Sequence, residues 1–224
     1  SYRGRALGSE LLLHARKEAG KLGFPFVYLA TDHIDYYDRY GWEYIADAFH
    51  PWGDASKIYR HSSIFEPENH PHISDARPED LEDILSLQYH AFKQESRLYN
   101  DAVLPPMKQT LDELSDEAQN AVILKYTLDG RIVGSVRATE NDGTCYIGRL
   151  VVDPDFQNRG IGKTLMAAIE HRFKVSRYEI FTGELSTKTI AIYENLGYQR
   201  FKTERENHGP CHVFLEKRAM AKPL

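Results

Sequence analysis

Hydrophobic and polar residues alternate along the chain with spacings that predict both helices and strands. Residues 78–92 begin with Pro78 and acidic residues, as first helical turns often do. Apolar side chains then recur every three to four residues, which predicts an amphipathic helix. Its inward face comprises Leu81, Ile84, Leu85, Gln88 and Phe92.

Two Asp-Gly pairs indicate a group of three strands. Asp129-Gly130 separates residues 121–128 from residues 131–138, and Asp142-Gly143 precedes residues 144–152. Asp-Gly favours the positive φ that a tight hairpin turn requires. The pattern therefore predicts an antiparallel meander.

Helices and strands alternate after this meander. Ile161, Leu165 and Ile169 share one helical face. The predicted elements are a helix at 163–173, a strand at 177–183, a helix at 187–197 and strands at 198–204 and 211–217. Hairpin strands followed by crossover helices predict an α/β fold with a mixed sheet.

The first part of the chain repeats the tail of this order. A helix is predicted at residues 5–20 and a strand at residues 24–32. The stretch YYDRYGWEYI, residues 36–45, aligns with IYENLGYQRF, residues 192–201. In both, a tyrosine stands four residues before a glycine, which predicts an internal duplication. The polar, proline-containing segment between the two parts predicts a linker.

Composition narrows the classes of function. Lys and Arg number 28 against 33 Asp and Glu, giving a formal charge of -5, so bulk attraction to nucleic acid or an anionic membrane is not expected. Two cysteines are too few for a disulfide framework. No apolar run approaches the length of a membrane span. A soluble cytoplasmic protein is expected.

The turn QNRGIG, residues 157–162, is a candidate phosphate site. Free amide groups and the positive end of a helix dipole attract anions, and glycines allow close approach. Glycines that only form a tight corner are the alternative. A P-loop is excluded because Gln157 stands where the first glycine of that motif belongs. A dinucleotide-binding fingerprint is excluded because Leu165 stands where its third glycine belongs.

Two stretches carry a family resemblance. Residues 148–166, GRLVVDPDFQNRGIGKTLM, contain Q/R-x-x-G-x-G/A, and residues 189–199, TIAIYENLGYQ, are similar to A-I-x-x-Y-x-x-x-G-F with Tyr198 for the phenylalanine. In these motifs and in element order, residues 71–218 resemble the GNAT acetyltransferase superfamily. This implies a complete GNAT domain at 72–224, a linker at 64–71 and a partial GNAT unit at 1–63.

The resemblance also implies a cofactor and site residues. The cofactor would be acetyl-CoA, with its pyrophosphate on the glycine turn and its arm along the preceding strand. Ser186 replaces the family's arm-binding asparagine, and Tyr193 matches its general acid. The implied cofactor-binding residues are Leu150, Val151, Val152, Gln157, Asn158, Arg159, Gly160, Ile161, Gly162, Lys163, Thr164 and Ser186. A packing role is the alternative for Tyr193.

Two features stay open at this level. The strand at residues 144–152 has no glutamate to act as general base. The candidates, besides a chain of waters, are Tyr89, His90, Glu95, Glu140, Asp142 and Glu184. The stretch HGPCH, with His208, Cys211 and His212, has metal-ligand residue types but no second cluster, so a turn is favoured and no metal is expected.

The function expected from the resemblance is an N-acetyltransferase that moves the acetyl group of acetyl-CoA to an amine of a small molecule, peptide or protein. A non-catalytic acyl-CoA-binding or regulatory module is the alternative, and an inert structural pairing of the two units is a third. The first unit is expected to be the back half of a GNAT unit. It would keep the signature helix, the following strand and the tyrosine helix, with Tyr37 in the place of the general acid. With Ala6 in place of a motif glycine and no preceding strand, it is expected to bind no acyl-CoA. Its apolar strand at residues 24–30 is expected to form an edge of the sheet, and the second unit or a homodimer is expected to cover that edge.

Overall fold

A computed structural model describes residues 7–219, apart from residues 23, 25, 34–35, 65, 67–69, 101–102 and 206–210. The chain divides into two compact units, Ser1–Glu66 and Pro67–Leu224. The division falls inside the predicted linker at residues 64–71. Within the described residues, no helix combines the length and the apolar character needed to cross a bilayer.

The described part of the first unit consists of one helix and a small antiparallel sheet. Its elements are α1 (Leu7–Lys21), β1 (Phe26–Thr31), β2 (Glu43–Phe49) and β3 (Ala55–Ser62). The strands lie in the order β1-β3-β2, so β1 is an edge strand of this sheet, as the sequence predicted. Trp42 and Tyr59 are the large side chains buried within it. Ala6, which stands in place of a motif glycine, lies outside the described residues.

The helix predicted around Tyr37 is wrong for the part of this segment that the structure describes. A single 3₁₀ turn, Asp38–Tyr40, follows Tyr37 there. Residues 32–42 connect β1 to β2, and this connection is shorter than its counterpart at residues 184–198, which contains α5. It is too short to hold a helix together with the chain that leads from one strand to the helix and back to the next strand.

In its described residues, the second unit contains four α-helices and seven strands. Its elements are β4 (Ile73–Asp75), α2 (Leu81–Ser96), α3 (Leu111–Ala118), β5 (Val122–Leu128), β6 (Arg131–Asn141), β7 (Thr144–Val152), α4 (Ile161–Arg172), β8 (Arg177–Gly183), α5 (Thr187–Asn195), β9 (Gln199–Arg205) and β10 (Cys211–Arg218). The strands form a seven-stranded sheet in the order β4-β5-β6-β7-β8-β10-β9. Only the β7–β8 pair is parallel among these pairs, which confirms the predicted mixed sheet.

The predicted meander is confirmed in its turns as well as in its strands. Asp129 and Gly130 join β5 to β6 with φ of 48° and 77°. Asp142 and Gly143 join β6 to β7 with φ of 53° and 72°. Positive φ at both turn positions is the conformation for which Asp-Gly is favoured. These turns fix the pairing of β5 with β6 and of β6 with β7 at the hairpin ends.

Helices cover both faces of the sheet near β6 and β7. Gln88 of α2 bonds to Arg137 of β6, whereas Gly134 of the same strand faces Ile161 and Leu165 of α4. Side chains an odd number of residues apart on a strand point to opposite faces. The sheet is therefore held between α2 on one side and α4 on the other. Leu165 is fully buried, and it anchors the helix whose N-terminus carries the glycine turn.

Gly134 gives a test of this packing. A Cβ there would lie 3.0 Å from both Ile161 Cγ2 and Leu165 Cδ1. We expect Gly134→Val to lower the free energy of unfolding by about 1–3 kcal/mol, because extra methyl groups force a packed core apart. Gly148→Val is the matched control, since a Cβ at that position of β7 meets nothing within 4 Å. Urea denaturation measures both variants, and equal stability of the two would contradict this packing.

Candidate active site

The parallel pair β7–β8 separates partway along its length. Its register runs from Thr144, opposite Arg177, to Ile147, opposite Ile180, and ends there. Beyond that point β7 stays paired with β6, and β8 stays paired with β10. Residues 148–152 and 181–183 therefore have backbone groups that face each other without a strand partner on that side. Such free backbone can pair with an extended ligand as an added strand would.

A bulge in β7 lies at the start of this separation. The pairing of β6 with β7 shifts between Ser135 and Arg137, and Arg149 has a φ of 50°. A bulge redirects side chains and ends regular pairing, and it often lies beside an active site. Here it turns residues 149 and 150 toward the opening between the strands.

A cavity of about 550 Å³ fills this opening. Its walls come from the C-terminal half of α2, from β6, β7 and β8, and from α5. The side chains that could take part in chemistry or charge recognition are Glu95, Tyr99, Glu117, Arg137, Tyr146, Arg149, Glu179, Tyr193 and His212. Gln157 lines the same cavity, so the cavity reaches the first residue of the glycine turn.

The glycine turn has amide groups with no acceptor. Within the described residues, the N–H groups of residues 158–163 form no hydrogen bond, and the helical ladder begins at the Thr164 N–H, which donates to the Gly160 oxygen at 3.0 Å. The first N–H groups of a helix have no partner within the helix. Gly160 caps α4 with a φ of 82°, a left-handed conformation that favours glycine. Asn158 is also left-handed, at 62°. The turn thus forms a nest of donors suited to phosphate oxygens.

The remaining side chains of the turn have separate roles. The Gln157 side-chain amide donates to the Val152 oxygen at 3.3 Å, and the Arg159 guanidinium donates to the Asp155 oxygen at 3.1 Å. The Thr164 hydroxyl donates to the Gly160 oxygen, whereas Lys163 is exposed. The Ile161 side chain is buried against the sheet, so only its backbone can meet a ligand.

The end of β7 lies beside the N-terminus of α4. A Cβ built on Gly162 would lie 3.7 Å from Val152 Cγ2 and 3.9 Å from Leu150 Cδ2. The Val151 side chain is buried in the core, and Leu150 lines the cavity. The predicted arm-binding and pyrophosphate-binding residues are therefore adjacent in the structure. Their roles stay predictions.

Tyr193 lines the cavity from α5. It is buried, and its hydroxyl forms no hydrogen bond within the described residues. Burial, with a smaller contribution from the Glu95 carboxylate, raises the pKa of Tyr193 well above its usual value. The phenol is therefore a neutral proton donor in the resting protein.

Ser186 is buried at the N-terminal end of α5. Its hydroxyl donates to a carboxylate oxygen of Glu95, and it lies 3.4 Å from the Tyr99 hydroxyl. Tyr99 also accepts a hydrogen bond from the Leu185 N–H at 3.2 Å, and its ring rests on Gly183. The predicted contact of Ser186 with a cofactor arm stays a prediction, and its contact with Glu95 is an additional role that the sequence did not indicate.

Of the candidate general bases from the sequence, only Glu95 lines the cavity. Glu95 lines it beside Tyr193, whose pKa it raises. The lining includes none of the other candidates, Tyr89, His90, Glu140, Asp142 and Glu184. The Tyr89 hydroxyl donates instead to the Gln109 carbonyl. Glu95 is thus the carboxylate placed with the candidate acid.

A polar network centred on the buried Arg137 forms part of the cavity wall. The Arg137 guanidinium donates to Glu117 at 2.8 Å, to the Gln88 side chain and to the Gln109 side chain at 3.2 Å. The Gln88 amide donates in turn to the Pro106 oxygen at 2.7 Å. Burial lowers the pKa of Arg137 to about 10, against the opposing effect of Glu117. The one sequence signal for this network was a glutamine on the apolar face of α2.

The histidine and cysteine residues near β10 do not form a metal centre in the described part of the chain. Cys211 is buried, and His212 packs edge-on against Phe181 with ring centroids 5.3 Å apart. His208 lies outside the described residues. Among the residues that are described, no group of three or more metal-ligand side chains is close enough to hold an ion.

Comparison with known proteins decides the family. Residues 91–219, more than half of the chain, match the model for the acetyltransferase (GNAT) domain. The chain belongs to the GNAT acetyltransferase family. This membership confirms the predicted α/β GNAT fold, and it supports the predicted N-acetyltransferase function with acetyl-CoA as acyl donor.

Individual relatives of this GNAT chain are distant. UPF0157 protein YqkA of Bacillus subtilis (strain 168) is 26% identical over 128 residues, covering 57% of this chain and 37% of the relative. Human N-acetylaspartate synthetase is 28% identical over 121 residues, which cover 52% of this chain and 40% of the relative. The chain thus spans about two fifths of the length of these curated relatives.

Solved structures support the fold. The PaiA N-acetyltransferase of Thermoplasma acidophilum, crystallised with coenzyme A, superposes with a TM-score of 0.56 at 18% identity. The match covers 66% of this chain and 98% of that protein. Nearly all of that chain therefore corresponds to about two thirds of this one.

Proposed function

We propose that residues 67–224 form an N-acetyltransferase that moves the acetyl group of acetyl-CoA to an amine of a small molecule, peptide or protein. The observation that carries the proposal is the opening between β7 and β8, which holds a cavity of about 550 Å³ and leads to the unpaired amide groups of residues 158–163. An extended arm bearing a pyrophosphate fits both features.

The residues present fit acetyl-CoA as the acyl donor. Unpaired N–H groups from Asn158 to Lys163 can hold the pyrophosphate, and the exposed Lys163 adds a positive charge beside it. The backbone of Leu150 and the Val152 N–H can bond to the amide groups of the arm, whereas the Val152 oxygen already accepts from Gln157. Acetyl-CoA supplies an activated acetyl group at the end of that arm.

Two side chains of this chain would handle the protons. An amine is mostly protonated near neutral pH, so a base must take its proton before nitrogen forms the new bond to the acetyl carbon. Glu95 can accept that proton in the cavity. As the carbon–sulfur bond breaks, the Tyr193 hydroxyl can give its proton to the departing sulfur. The backbone N–H near Val152 can stabilise negative charge on the carbonyl oxygen.

Gly162 provides a test of cofactor placement. Ligand binding to the folded state raises the melting temperature by mass action, so acetyl-CoA should stabilise the wild-type protein. We expect Gly162→Leu to abolish this rise, because its side chain would fill the space between α4 and Leu150. Gly162→Ala is the matched control and should keep the rise, since the added Cβ makes only ordinary contacts. An unchanged rise in Gly162→Leu would mean that acetyl-CoA binds elsewhere.

The first unit is proposed to derive from the back half of a second GNAT unit. Its order α1-β1-β2-β3 parallels α4-β8-β9-β10, and its sheet order β1-β3-β2 parallels β8-β10-β9. This support extends to the local geometry around the two aligned glycines. Gly41 and Gly197 have φ of 75° and 91°. Each stands four residues after a tyrosine, Tyr37 or Tyr193, and the carbonyl of that tyrosine accepts a hydrogen bond from the N–H of the aromatic residue after the glycine.

This first unit is proposed to bind no acyl-CoA. In a GNAT unit the opening for the arm lies between the strand before the glycine turn and the strand after its helix. Among the described residues, β1 is an edge strand with no such partner in its sheet. Phe26 and Tyr28 are exposed along it. A homodimer that covers this edge stays a prediction.

A transfer assay tests the proposed activity. Full-length protein with acetyl-labelled acetyl-CoA and a panel of amines should yield labelled amide, separated by chromatography from hydrolysed acetate. Binding of acetyl-CoA without transfer to any amine would favour the non-catalytic module. Neither binding nor transfer would favour a structural role for both units.

A further inference from the structure

Arg149 is a half-buried cation in the cavity wall, and it has no hydrogen-bonding or ion-pair partner among the residues that the structure describes. It lies in the β7 bulge with a φ of 50°, a backbone conformation that residues other than glycine rarely adopt. Strained residues of this kind persist where the surrounding structure holds them, and they cluster at ligand sites. The Arg149 guanidinium has neither a hydrogen bond nor an ion pair within the described part of the chain.

The neighbouring Arg137 differs in this respect. Its guanidinium is held by Glu117 and by the side-chain oxygens of Gln88 and Gln109. Glu117 is the carboxylate that acts on both arginines, and its 2.8 Å ion pair is with Arg137. As far as the described residues go, the guanidinium charge of Arg149 is therefore left for a ligand. A desolvated charge without a partner is costly, and a bound anion removes that cost.

Two carboxylates in the same cavity, Glu179 and Glu95, differ in whether they form an ion pair. Glu179 is paired with Arg177 at 2.7 Å. Glu95 accepts a hydrogen bond from Ser186 but has no ion pair with a described cation. It acts electrostatically on Tyr193, so it lies near the candidate acid. The cavity thus offers one carboxylate beside the proposed reaction centre and one guanidinium in the β7 wall.

We propose that the acceptor is an amine that also carries a carboxylate, such as an amino acid, with its ammonium group at Glu95 and its carboxylate at Arg149. The proposal rests on the acetyltransferase function proposed above. An arginine fork binds a carboxylate through two parallel hydrogen bonds, a geometry that lysine does not reproduce. Arg149 would therefore determine acceptor specificity, and Glu95 would hold the amine where it loses its proton.

Matched acceptors test this proposal. The full-length protein is assayed for acetyl transfer with the twenty amino acids, with their fully amidated derivatives and with 1,4-diaminobutane. The best acid should exceed its amide in kcat/KM by about tenfold or more, because only the acid can pair with Arg149. Arg149→Gln should lower kcat/KM for that acid by about 10- to 100-fold, mainly through KM, and should equalise acid and amide.

Two further variants control the assay. Arg149→Lys should recover part of the preference, since it restores the charge without the fork. Arg172→Gln removes an exposed guanidinium of α4, which pairs with Asp75 at 3.0 Å outside the cavity, and it should leave the preference unchanged. Equal turnover of acid and amide by the wild type, or an unchanged ratio in Arg149→Gln, would overturn the proposal while leaving acetyl transfer established.

A binding measurement separates failure of this proposal from failure of the proposed function. If no amine is acetylated, the proposed function fails. The thermal shift of coenzyme-A-loaded protein is then measured with the N-acetyl derivatives of the same acids and amides. A shift with the acids alone that is lost in Arg149→Gln supports the carboxylate subsite, and no shift with any acid overturns it.

Discussion

Tyr193→Phe is expected to lower kcat by about 100- to 1,000-fold, the range for loss of a general acid. The change removes the hydroxyl and keeps the buried ring, so the affinity for acetyl-CoA measured by calorimetry should change little. Steady-state kinetics at saturating acetyl-CoA measures the effect. Turnover near that of the wild type would assign Tyr193 to packing.

Tyr198→Phe is the matched control for this loss. It removes a tyrosine hydroxyl from the same segment, one that donates to Glu170 at 2.8 Å outside the cavity lining. Glu170 keeps its ion pair with Lys217 at 2.7 Å. We expect kcat to stay near that of the wild type, with a loss of about 1 kcal/mol in the free energy of unfolding.

The direction of the Tyr193 pKa gives a dependence on pH. A raised pKa keeps the phenol protonated to higher pH than a free tyrosine, whose pKa is about 10. The donor form therefore persists across the range from neutral to about pH 10. We expect no alkaline fall in kcat/KM from Tyr193 within that range, and a fall that disappears in Tyr193→Phe would contradict this assignment.

Glu95→Gln is expected to lower kcat/KM by about 100-fold or more, because the amide can neither accept the amine proton nor attract the ammonium group. If Glu95 is the base, raising the pH should restore part of the rate, since more of the amine is then already deprotonated. The rate is measured from pH 6 to pH 10, the same buffers being used for both proteins.

Glu140→Gln and Glu184→Gln serve as controls for Glu95. Both carboxylates were candidates from the sequence, and neither lines the cavity. Their variants should keep the rate and the pH profile of the wild type. If either variant loses activity while Glu95→Gln keeps the wild-type rate, the residue changed in that variant is the general base instead of Glu95.

Features encoded by neighbouring residues were predictable from the sequence. The glycine turn is one continuous stretch, and its left-handed Gly160 and free amide groups follow from local backbone rules. The two Asp-Gly turns likewise set the meander through their own φ preferences. Tyr193 was found because a short helical motif surrounds it.

Features that depend on distant segments were not predictable. Glu95, Arg149 and Tyr193 come from α2, β7 and α5, and the fold brings them to one cavity. The bulge that turns Arg149 into it arises from a register shift between β6 and β7, which no local pattern of residues 144–152 indicates. The helix predicted at Tyr37 was wrong because the local sequence resembles the Tyr193 segment, whereas the connection between β1 and β2 is too short to contain a helix.

Calorimetric titration of the full chain with acetyl-CoA tests the central claim most directly. That claim is a single acetyl-CoA site, formed by the β7–β8 opening and the amide groups of residues 158–163. We predict one acetyl-CoA bound per chain, and none in Gly162→Leu. Two per chain would show that the first unit also binds, and none in the wild type, or one in Gly162→Leu, would contradict the site described here.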